Sequence, residues 1–283
     1  MSTLLKIEKP LVSVNWLQKH INEVNLVVLN GTLPKVTAQK KSKLQEDFQI
    51  PGTRFFDLKN DFSIQGAAFP YTVQTPDEFE KNVRKIGIND NACIVVYDEY
   101  GIYSSPRVWW LFKAMGFDNI AVLDGGLPAW KNSGFAVESK QTQRFELGNF
   151  EAQYQPEMLL NAKQVLNSID TNAKQLIDAR SSGRFYAIEP EPRIEVRGGH
   201  IPTSRSLPYS TLVSNGKMKS KKELKEFFVS VNPMNKEMIF SCGSGITACV
   251  LSLAATLLGC ENNAVYDGSW TEWGSLIDLP IEK

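Results

Sequence analysis

Short apolar runs recur along the chain, and the segments between them carry apolar residues at helical spacing. Clear runs occupy residues 26–29, 94–97 and 238–240, and a polar residue follows each one. Continuous apolar runs of this length predict strands that are buried on both faces, as in a parallel sheet. The amphipathic segments between them predict helices that cover the sheet. The pattern therefore predicts an α/β fold in which parallel sheets are flanked by helices.

The pattern of the first half returns in the second half. A repeat of this length indicates a duplicated domain rather than a solenoid. We predict two tandem domains of one fold at residues 1–140 and 158–283, joined by a polar linker at 141–157. Equivalent crossover helices are expected near residues 109–115 and 250–258. The matched landmarks are residues 26–30 with 174–178, 50–51 with 201–202, 94–98 with 238–242, and 122–126 with 265–269.

The segment around Cys242 carries the strongest indication of chemistry. An apolar strand is predicted to end on Cys242, followed by a tight loop and a helix that starts near Thr247. Such a loop places a sulfur among backbone N–H groups at a helix N-terminus, which favours a thiolate or persulfide anion. Gly243 and Gly245 allow the positive φ angles that turn N–H groups inward. Cys242 is therefore a candidate nucleophile, although a cysteine after a buried strand is often only a small core residue.

The first half has different chemistry at the matching position. Asp98 occupies the place of Cys242, and the loop continues with Glu99 and Tyr100. A carboxylate cannot act as a sulfur nucleophile, so the first domain is expected to be catalytically silent.

Composition narrows the classes of partner. The 31 Lys and Arg residues balance the 31 Asp and Glu residues, which gives no indication of a nucleic-acid or membrane partner. The N-terminal residues do not resemble a signal peptide, and no apolar run is long enough to span a membrane. The four cysteines show neither metal-type spacing nor a disulfide framework. We expect a cytoplasmic protein without a metal.

Several motifs together resemble a known family. The loop Cys-Gly-Ser-Gly-Ile-Thr-Ala at 242–248 and the segments Gly-Arg-Phe at 183–185 and Glu-Pro-Glu-Pro-Arg at 189–193 resemble two-domain rhodanese-type sulfurtransferases. Within that family they are most similar to the branch that uses 3-mercaptopyruvate. The resemblance extends from about Leu11 to Trp273. Further matching segments are Ser-Pro-Arg-Val-Trp-Trp at 105–110, Leu-Asp-Gly-Gly at 123–126 and Asp-Gly-Ser-Trp at 267–270.

The resemblance implies a reaction. Cys242 would take a sulfur atom from 3-mercaptopyruvate, release pyruvate and pass the sulfur to a thiol or to cyanide, with no cofactor. The sequence does not name the acceptor: thioredoxin, low-molecular-weight thiols and a dedicated sulfur relay partner are all open. Thiosulfate-using members carry Arg and Lys at the positions of Gly243 and Ser244, where cations suit a dianionic donor. The neutral pair here favours mercaptopyruvate, with a thiosulfate sulfurtransferase as the alternative.

The resemblance also assigns roles to individual residues. Arg184 and Arg193 would bind the donor's carboxylate and keto oxygen, although most arginines simply lie at the surface. Ser244 would orient the donor or relay a proton, unless it only bonds its own backbone. Thr247 is expected to cap the helix. The N–H groups from residue 243 through 248, including that of Ile246, would form an anion cradle.

Two neighbouring features have structural interpretations. Asp178 and Arg180 resemble the family's Asp-x-Arg pair, which implies an ion pair beneath the loop. His200 lies in Gly-His-Ile-Pro, and the resemblance makes it a packing and hydrogen-bonding residue rather than a catalytic one.

Some positions depart from the family pattern. Certain members are proposed to use an Asp and a His of the first domain together with the loop serine. Here Tyr71 stands at the His position, and the Asp position falls near residues 59–61. A Tyr is a poor general base near neutral pH, so we do not expect that triad. Gln49 replaces a His, and Arg197 replaces a Glu, which would add positive charge near the carboxylate site.

Two other functions fit a strand, cysteine loop and helix. A cysteine phosphatase would need an Arg six positions after the Cys, where this chain has Ala248. A non-catalytic sulfur carrier remains open, and turnover with a small-molecule donor would exclude it.

Overall fold

The computed structural model describes residues 4–35, 47–141 and 144–283. The chain separates into two compact units. Most of each unit comes from one half of the sequence, but each also takes in a short segment of the other half. The first contains the described residues up to Ile64 with Val73–Gln155 and Asn215–Lys217, and the second contains Gln65–Thr72, Pro156–Ser214 and Met218–Lys283.

The first unit is built around a parallel sheet of five strands in the order β1-β6-β5-β2-β4. A small antiparallel pair, β3 with β7, lies outside that sheet. The strands are β1 Leu11–Val12, β2 Leu26–Asn30, β3 Phe48–Gln49, β4 Arg54–Phe55, β5 Cys93–Tyr97, β6 Ile120–Leu123 and β7 Glu138–Ser139. The helices are α1 Val14–His20, α2 Pro76–Lys85, α3 Ser105–Ala114 and α4 Gly126–Asn132.

The second unit has a parallel sheet in the order β10-β9-β13-β14-β8 and a separate two-stranded sheet, β11 with β12. The strands are β8 Leu159–Leu160, β9 Gln175–Asp178, β10 Arg205–Ser206, β11 Val213–Ser214, β12 Lys217–Met218, β13 Met238–Ser241 and β14 Asn263–Tyr266. The helices are α5 Ala162–Thr171, α6 Ser182–Phe185, α7 Lys221–Val231, α8 Ala248–Leu257 and α9 Ser269–Ser275. Short 3-10 helices occupy Pro156–Met158 and Tyr209–Leu212.

The two large sheets have the same topology. In both, a long strand in the centre is followed by the loop of interest: β5 leads to Asp98, and β13 leads to Cys242. The matching strand order confirms the predicted α/β fold and the repeat.

The central helices differ from the prediction that all helices are amphipathic. In α3 every residue except Lys113 is buried, and in α8 residues 248–255 are all buried. α8 is apolar on nearly every side, and such a helix lies inside a protein rather than on its surface. α3 is buried as well, although it carries Arg107. Each of these helices is the next element after a central strand, so the loop between strand and helix is fixed at both ends by a buried element.

The predicted linker at 141–157 is mostly part of the first unit. The N–H groups of Gln153 and Gln155 donate to the carbonyl oxygens of Met115 and Ala114, both at 2.8 Å. Phe150 is fully buried among aromatic rings of the first unit. Residues 142 and 143 lie outside the described residues.

Within the described part of the chain, no helix combines the length and hydrophobicity that crossing a bilayer requires.

Candidate active site

Cys242 lies directly after the central strand of the second unit. β13 pairs with β9 on one side and β14 on the other, and it ends at Ser241, one residue earlier than predicted. The loop then runs to Thr247, and α8 begins at Ala248. Ligands of open parallel sheets bind at the carboxyl ends of the strands, which is where this loop lies. The Cys242 residue is only 2% exposed.

The carbonyl groups at the start of the loop point toward α9. The N–H of Trp270 donates to the Cys242 oxygen at 2.9 Å, and the N–H of Thr271 donates to the Gly243 oxygen at 2.9 Å. The Thr271 hydroxyl group adds a second bond to the Gly243 oxygen at 2.5 Å. These bonds use N–H groups of the first turn of α9 to fix the loop's orientation.

Ser269 holds the base of the loop. Its hydroxyl oxygen accepts from the N–H groups of Cys242 and Gly245, both at 3.1 Å, and donates to the Tyr266 oxygen at 2.8 Å. Ser269 is fully buried and has a φ of 50°, a conformation that is unfavourable for a residue with a Cβ. Sequence reasoning placed this serine only in a structural motif and missed its contact with the loop.

Several N–H groups of the loop have no protein acceptor among the described residues. They belong to Gly243, Ser244, Ile246, Thr247 and Ala248. Buried or half-buried N–H groups normally find partners, so a cluster of five without one is available to bind an anion. Five of the six N–H groups predicted for the cradle thus have no acceptor among the described residues, whereas that of Gly245 donates to Ser269. Their convergence on the Cys242 sulfur stays a prediction.

The prediction that Thr247 caps α8 is wrong. Thr247 stands at the N-cap position, but its side chain makes no capping hydrogen bond. Its backbone is already helical, with φ −76° and ψ −16°. The capping serine of α7, Ser220, has ψ 151°, the extended geometry that lets a side chain reach back to the helix N–H groups. The N–H groups of Cys249 and Val250 donate to the carbonyl oxygens of Ile246 and Thr247 instead, and that of Ala248 has no acceptor among the described residues.

The two loop glycines serve different purposes. Gly245 has a φ of 74°, which confirms the predicted left-handed backbone there. Gly243 does not have a positive φ. A Cβ at Gly243 would lie 3.2 Å from Nη2 of Arg184, so this glycine makes room for the guanidinium group.

The other loop side chains are placed as follows. Ser244 is 8% exposed, and its hydroxyl group has no protein partner in the described part of the chain. It does not bond its own backbone, which was the structural alternative for this residue. Ile246 is buried, and its carbonyl oxygen accepts from the N–H of Cys249 at 3.2 Å.

Arg184 is held against the loop by a buried carboxylate. It lies on α6, and its Nη2 contacts Oε2 of Glu191 at 2.5 Å. The other oxygen of Glu191 binds Nη1 of Arg180 at 2.8 Å. Sequence reasoning missed Glu191, and the only signal was an acidic residue between two prolines.

Arg193 reaches the same part of the loop by a different route. Its Nη1 donates to the Thr271 hydroxyl group at 3.2 Å, and that hydroxyl group donates to the Gly243 oxygen. Burial raises the pKa of the Tyr71 hydroxyl group, and the positive charge of Arg193 opposes that rise. Arg184 thus lies beside Gly243, and Arg193 is linked to Gly243 through the Thr271 hydroxyl group.

The predicted ion pair beneath the loop is confirmed. Nε and Nη2 of Arg180 bind both oxygens of Asp178 at 2.7–3.1 Å, and the guanidinium group stacks on the Trp270 ring at 4.4 Å. The predicted packing role of His200 is confirmed as well. Its ring stacks on Phe185 at 3.8 Å between centroids, and Nδ1 lies 3.0 Å from the Phe185 oxygen.

The expectation for Arg197 is wrong. Every hydrogen bond of its guanidinium group goes to main-chain carbonyl oxygens of residues 273–279, at and beyond the end of α9. Cations favour helix C-termini, so Arg197 closes this end of α9 instead of contributing charge to the carboxylate site. Gln49 is buried and donates to Oε1 of Glu138 at 2.8 Å.

In the matching loop of the first unit, the N–H groups donate to the carboxyl group of Asp98. Oδ2 of Asp98 accepts from the N–H groups of Tyr103, Ser104 and Ser105 and from the Ser105 hydroxyl group, at 2.7–2.9 Å. Oδ1 accepts from the N–H of Tyr100 at 2.9 Å. Burial raises the pKa of Asp98, and the bonds from Ser105 oppose that rise. All five donors face the carboxyl oxygens, the arrangement that a carboxylate requires.

The remaining cysteines lie elsewhere. Cys93 is buried in β5, and burial raises the pKa of its thiol to about 12. Cys249 is buried in α8, and Cys260 is partly exposed. Among the described residues, no three His, Cys, Asp or Glu side chains are grouped so that they could hold a metal ion.

Comparison with known proteins identifies relatives over nearly the whole chain. The rhodanese-like domain model matches residues 13–133 and 161–276. The chain is 34% identical over 274 residues to the 3-mercaptopyruvate sulfurtransferase of Escherichia coli K12, covering 96% of this chain and 97% of that protein. It is 35% identical over 300 residues to thiosulfate/3-mercaptopyruvate sulfurtransferase 1, mitochondrial, of Arabidopsis thaliana, covering 97% of this chain and 78% of the relative.

A solved structure shows the same architecture. The crystal structure of SseA from Escherichia coli, described as a 3-mercaptopyruvate sulfotransferase with the rhodanese fold, superposes with a TM-score of 0.83 at 31% identity. The match covers 93% of this chain and 99% of SseA. With one match of the family model in each half and similarity over nearly its whole length, the chain belongs to the rhodanese-like family.

Proposed function

We propose that the protein is a 3-mercaptopyruvate sulfurtransferase that works through a persulfide on Cys242. The observation that carries this proposal is the cluster of loop N–H groups beside Cys242 that have no acceptor among the described residues, with Arg184 next to Gly243 and Arg193 bonded to the Thr271 hydroxyl group. The names of the similar proteins from Escherichia coli and Arabidopsis support the reaction class. The first domain, with Asp98 in the matching loop, takes no covalent part.

The first half-reaction forms the persulfide. The Cys242 thiolate attacks the sulfur of 3-mercaptopyruvate, a new S–S bond forms, and the C–S bond of the donor breaks. The electron pair of that bond remains on the methylene carbon, which gives the enolate of pyruvate. Proton uptake by that carbon yields pyruvate. The loop N–H groups stabilise the anionic sulfur, in the way that N–H groups at a helix N-terminus stabilise other anions.

The second half-reaction returns the enzyme to its starting state. A thiolate acceptor attacks the outer sulfur of the persulfide, and the S–S bond to Cys242 breaks. The outer sulfur leaves on the acceptor as a new persulfide, or as thiocyanate when cyanide is the acceptor. Two successive displacements on one cysteine require ping-pong kinetics.

The arginines and Ser244 act on the donor. Guanidinium groups bind a carboxylate through two parallel hydrogen bonds, and Arg184 and Arg193 would take the carboxylate and keto oxygen in this way. The developing enolate charge strengthens these bonds in the transition state. The hydroxyl group of Ser244, which has no protein partner in the described part of the chain, would deliver the proton to the enolate carbon.

The choice of donor follows from charge. The loop carries neutral residues at Gly243 and Ser244, which suits a donor with a single negative charge. A thiosulfate sulfurtransferase is the alternative, and the Arabidopsis relative is named for both donors. We further propose a cytoplasmic location, because the four cysteines are unpaired, and acceptors such as thioredoxin or low-molecular-weight thiols.

Mass spectrometry of the intact protein tests the proposal. Incubation with 3-mercaptopyruvate and no acceptor should add one sulfur atom, located on Cys242 by peptide mapping, and release one pyruvate per chain. Subsequent addition of a thiol should remove that sulfur. Cys260→Ser is the matched control and should take up sulfur normally, because Cys260 follows the end of α8 and lies outside the loop that carries Cys242. Steady-state rates with both donors decide the subfamily, and a higher kcat/KM for thiosulfate would contradict the assignment.

A further inference from the structure

Glu191 is a buried carboxylate that two arginines share. Its side chain is 5% exposed. Oε1 binds Nη1 of Arg180 at 2.8 Å and Nε of Arg184 at 3.3 Å, and Oε2 binds Nη2 of Arg184 at 2.5 Å. A buried carboxylate with three charged hydrogen bonds is costly to disturb, so its position determines the position of its partners.

These contacts fix which part of Arg184 can meet a donor. Glu191 occupies the edge of the guanidinium group formed by Nε and Nη2. Nη1 and the second N–H of Nη2 remain at the other end of the planar group. That end faces Gly243, since a Cβ there would lie 3.2 Å from Nη2 and 3.7 Å from Nη1. Arg184 can therefore still bind a carboxylate with two parallel bonds, but only in the direction that Glu191 permits.

Glu191 also sets the charge of the cluster. Asp178 already matches Arg180 through a buried ion pair. Glu191 then compensates Arg184, and within the described residues Arg193 forms no ion pair. Glu191 therefore reduces the positive charge that Arg180 and Arg184 present beside Gly243. A smaller positive charge favours a 2-oxo acid with a single carboxylate relative to a dianion.

We propose that Glu191 is a positioning residue that determines donor selectivity. It orients Arg184 over Gly243, and its negative charge limits the cluster to a singly charged donor. This inference rests on the proposed sulfurtransferase function and names the residue that excludes dianions. The reason is electrostatic: the interaction of a site with its donor is proportional to the donor's charge, so removal of one negative charge favours a dianion twice as much as a monoanion.

Two substitutions separate charge from position. Glu191→Gln keeps the length of the side chain and removes the charge, whereas Glu191→Asp keeps the charge and shortens the reach. Glu189→Gln is the matched control, because Glu189 is exposed on the same segment, its side chain accepts from the Ser181 hydroxyl group, and among the described residues it forms no ion pair. The measured quantity is kcat/KM for 3-mercaptopyruvate and for thiosulfate, with cyanide as the common acceptor.

The two variants should differ in the ratio of the two kcat/KM values. In Glu191→Gln the ratio of thiosulfate to mercaptopyruvate should rise about tenfold. In Glu191→Asp the value for mercaptopyruvate should fall about tenfold while the ratio stays within about twofold of the parent protein. The control should match the parent in both.

The outcomes are distinguishable. An unchanged ratio in a folded Glu191→Gln variant would overturn the charge role, and an Asp variant with parental rates would overturn the positioning role. Because Glu191→Asp keeps the charge, it tests the positioning role even if the Gln variant does not fold. Failure of the parent protein to load sulfur on Cys242 would instead contradict the proposed function itself.

Discussion

The loops after β5 and β13 share one scaffold but differ in what occupies their N–H groups. In the first unit Asp98 accepts bonds from four N–H groups of its own loop and from the Ser105 hydroxyl group. At the same spacing from Cys242, the N–H groups of Ser244, Thr247 and Ala248 have no protein acceptor among the described residues. The first loop shows these N–H positions bonded to a carboxyl group. We predict that the second loop offers the matching N–H groups to a ligand.

The position after each of these residues differs as well. Glu99 in the first unit has a side chain that is 1% exposed, and it binds Lys140 at 2.6 Å and Asn30 at 3.2 Å. Gly243 in the second unit has no side chain, and Arg184 occupies the space that a side chain would take. The N–H groups of the first loop are thus bonded to the loop's own Asp98, and Glu99 follows it. The second loop instead has the guanidinium group of Arg184 beside it. The difference teaches that the absence of a side chain at position 243 matters to the second loop as well as the cysteine, because it leaves room for Arg184.

The largest expected effect is on the cysteine itself. Cys242→Ser should lower kcat/KM by at least about a thousandfold, because a hydroxyl group cannot carry the persulfide. The measurement is pyruvate release at saturating acceptor. Cys93→Ser, which changes a buried thiol of the first unit, should retain parental turnover per folded molecule. Equal loss in both variants would mean that Cys242 has no special role.

The next largest effect is expected for a substitution of Asp98, whose carboxyl group accepts from the N–H groups of the loop after β5. Asp98→Asn replaces one acceptor oxygen with a donor and should lower the free energy of unfolding by about 3 kcal/mol, because buried N–H groups are then opposed. Chemical denaturation checks this value. Turnover per folded molecule should stay at the parental level, since the first domain is proposed to be silent. Reduced turnover in the folded variant would refute that silence.

Ser269→Ala tests a hydroxyl group that supports the second loop and has no counterpart in the first unit, where Gly126 stands at the matching position. Loss of the hydroxyl group leaves the N–H groups of Cys242 and Gly245 without their partner and should cost about 2 kcal/mol of stability. Turnover should fall about tenfold as the loop loosens. Parental values for both quantities would show that the backbone alone holds the loop.

The smallest expected effect concerns the space beside Arg184. Gly243→Ala should raise KM for 3-mercaptopyruvate about fivefold, since the added Cβ crowds a guanidinium group that Glu191 holds in place. A double-mutant cycle with Arg184→Ala provides the control. If the glycine acts through Arg184, the effect of Gly243→Ala should disappear in the Arg184→Ala background. Additive effects would assign the glycine another purpose.

The sequence could predict features that depend on local pattern. The alternation of apolar runs and helices, the repeat, and the strand, loop and helix around Cys242 are all present in the structure. The two arginines could be named because their motif is contiguous. Gly245 could be assigned a left-handed backbone because only a tight loop before a helix requires one.

Other features depend on partners that are distant in sequence. The bond between Ser269 and Cys242 spans 27 positions, and the C-terminal residues that Arg197 contacts lie about 80 positions away. Thr247 has the residue type of a cap, but the loop imposes a helical backbone that prevents capping. Residues 65–72 group with the second unit although they belong to the first half, and no local pattern indicates that.

The central claim is that loop N–H groups hold the transferred sulfur as Asp98 is held in the first unit. A crystal structure of the persulfidated protein, prepared with 3-mercaptopyruvate in the absence of acceptor, tests it most directly. We predict that the outer sulfur lies within hydrogen-bonding distance of the N–H groups of Ser244, Thr247 and Ala248. An outer sulfur directed away from these groups, with the loop N–H groups bonded elsewhere, would contradict the account.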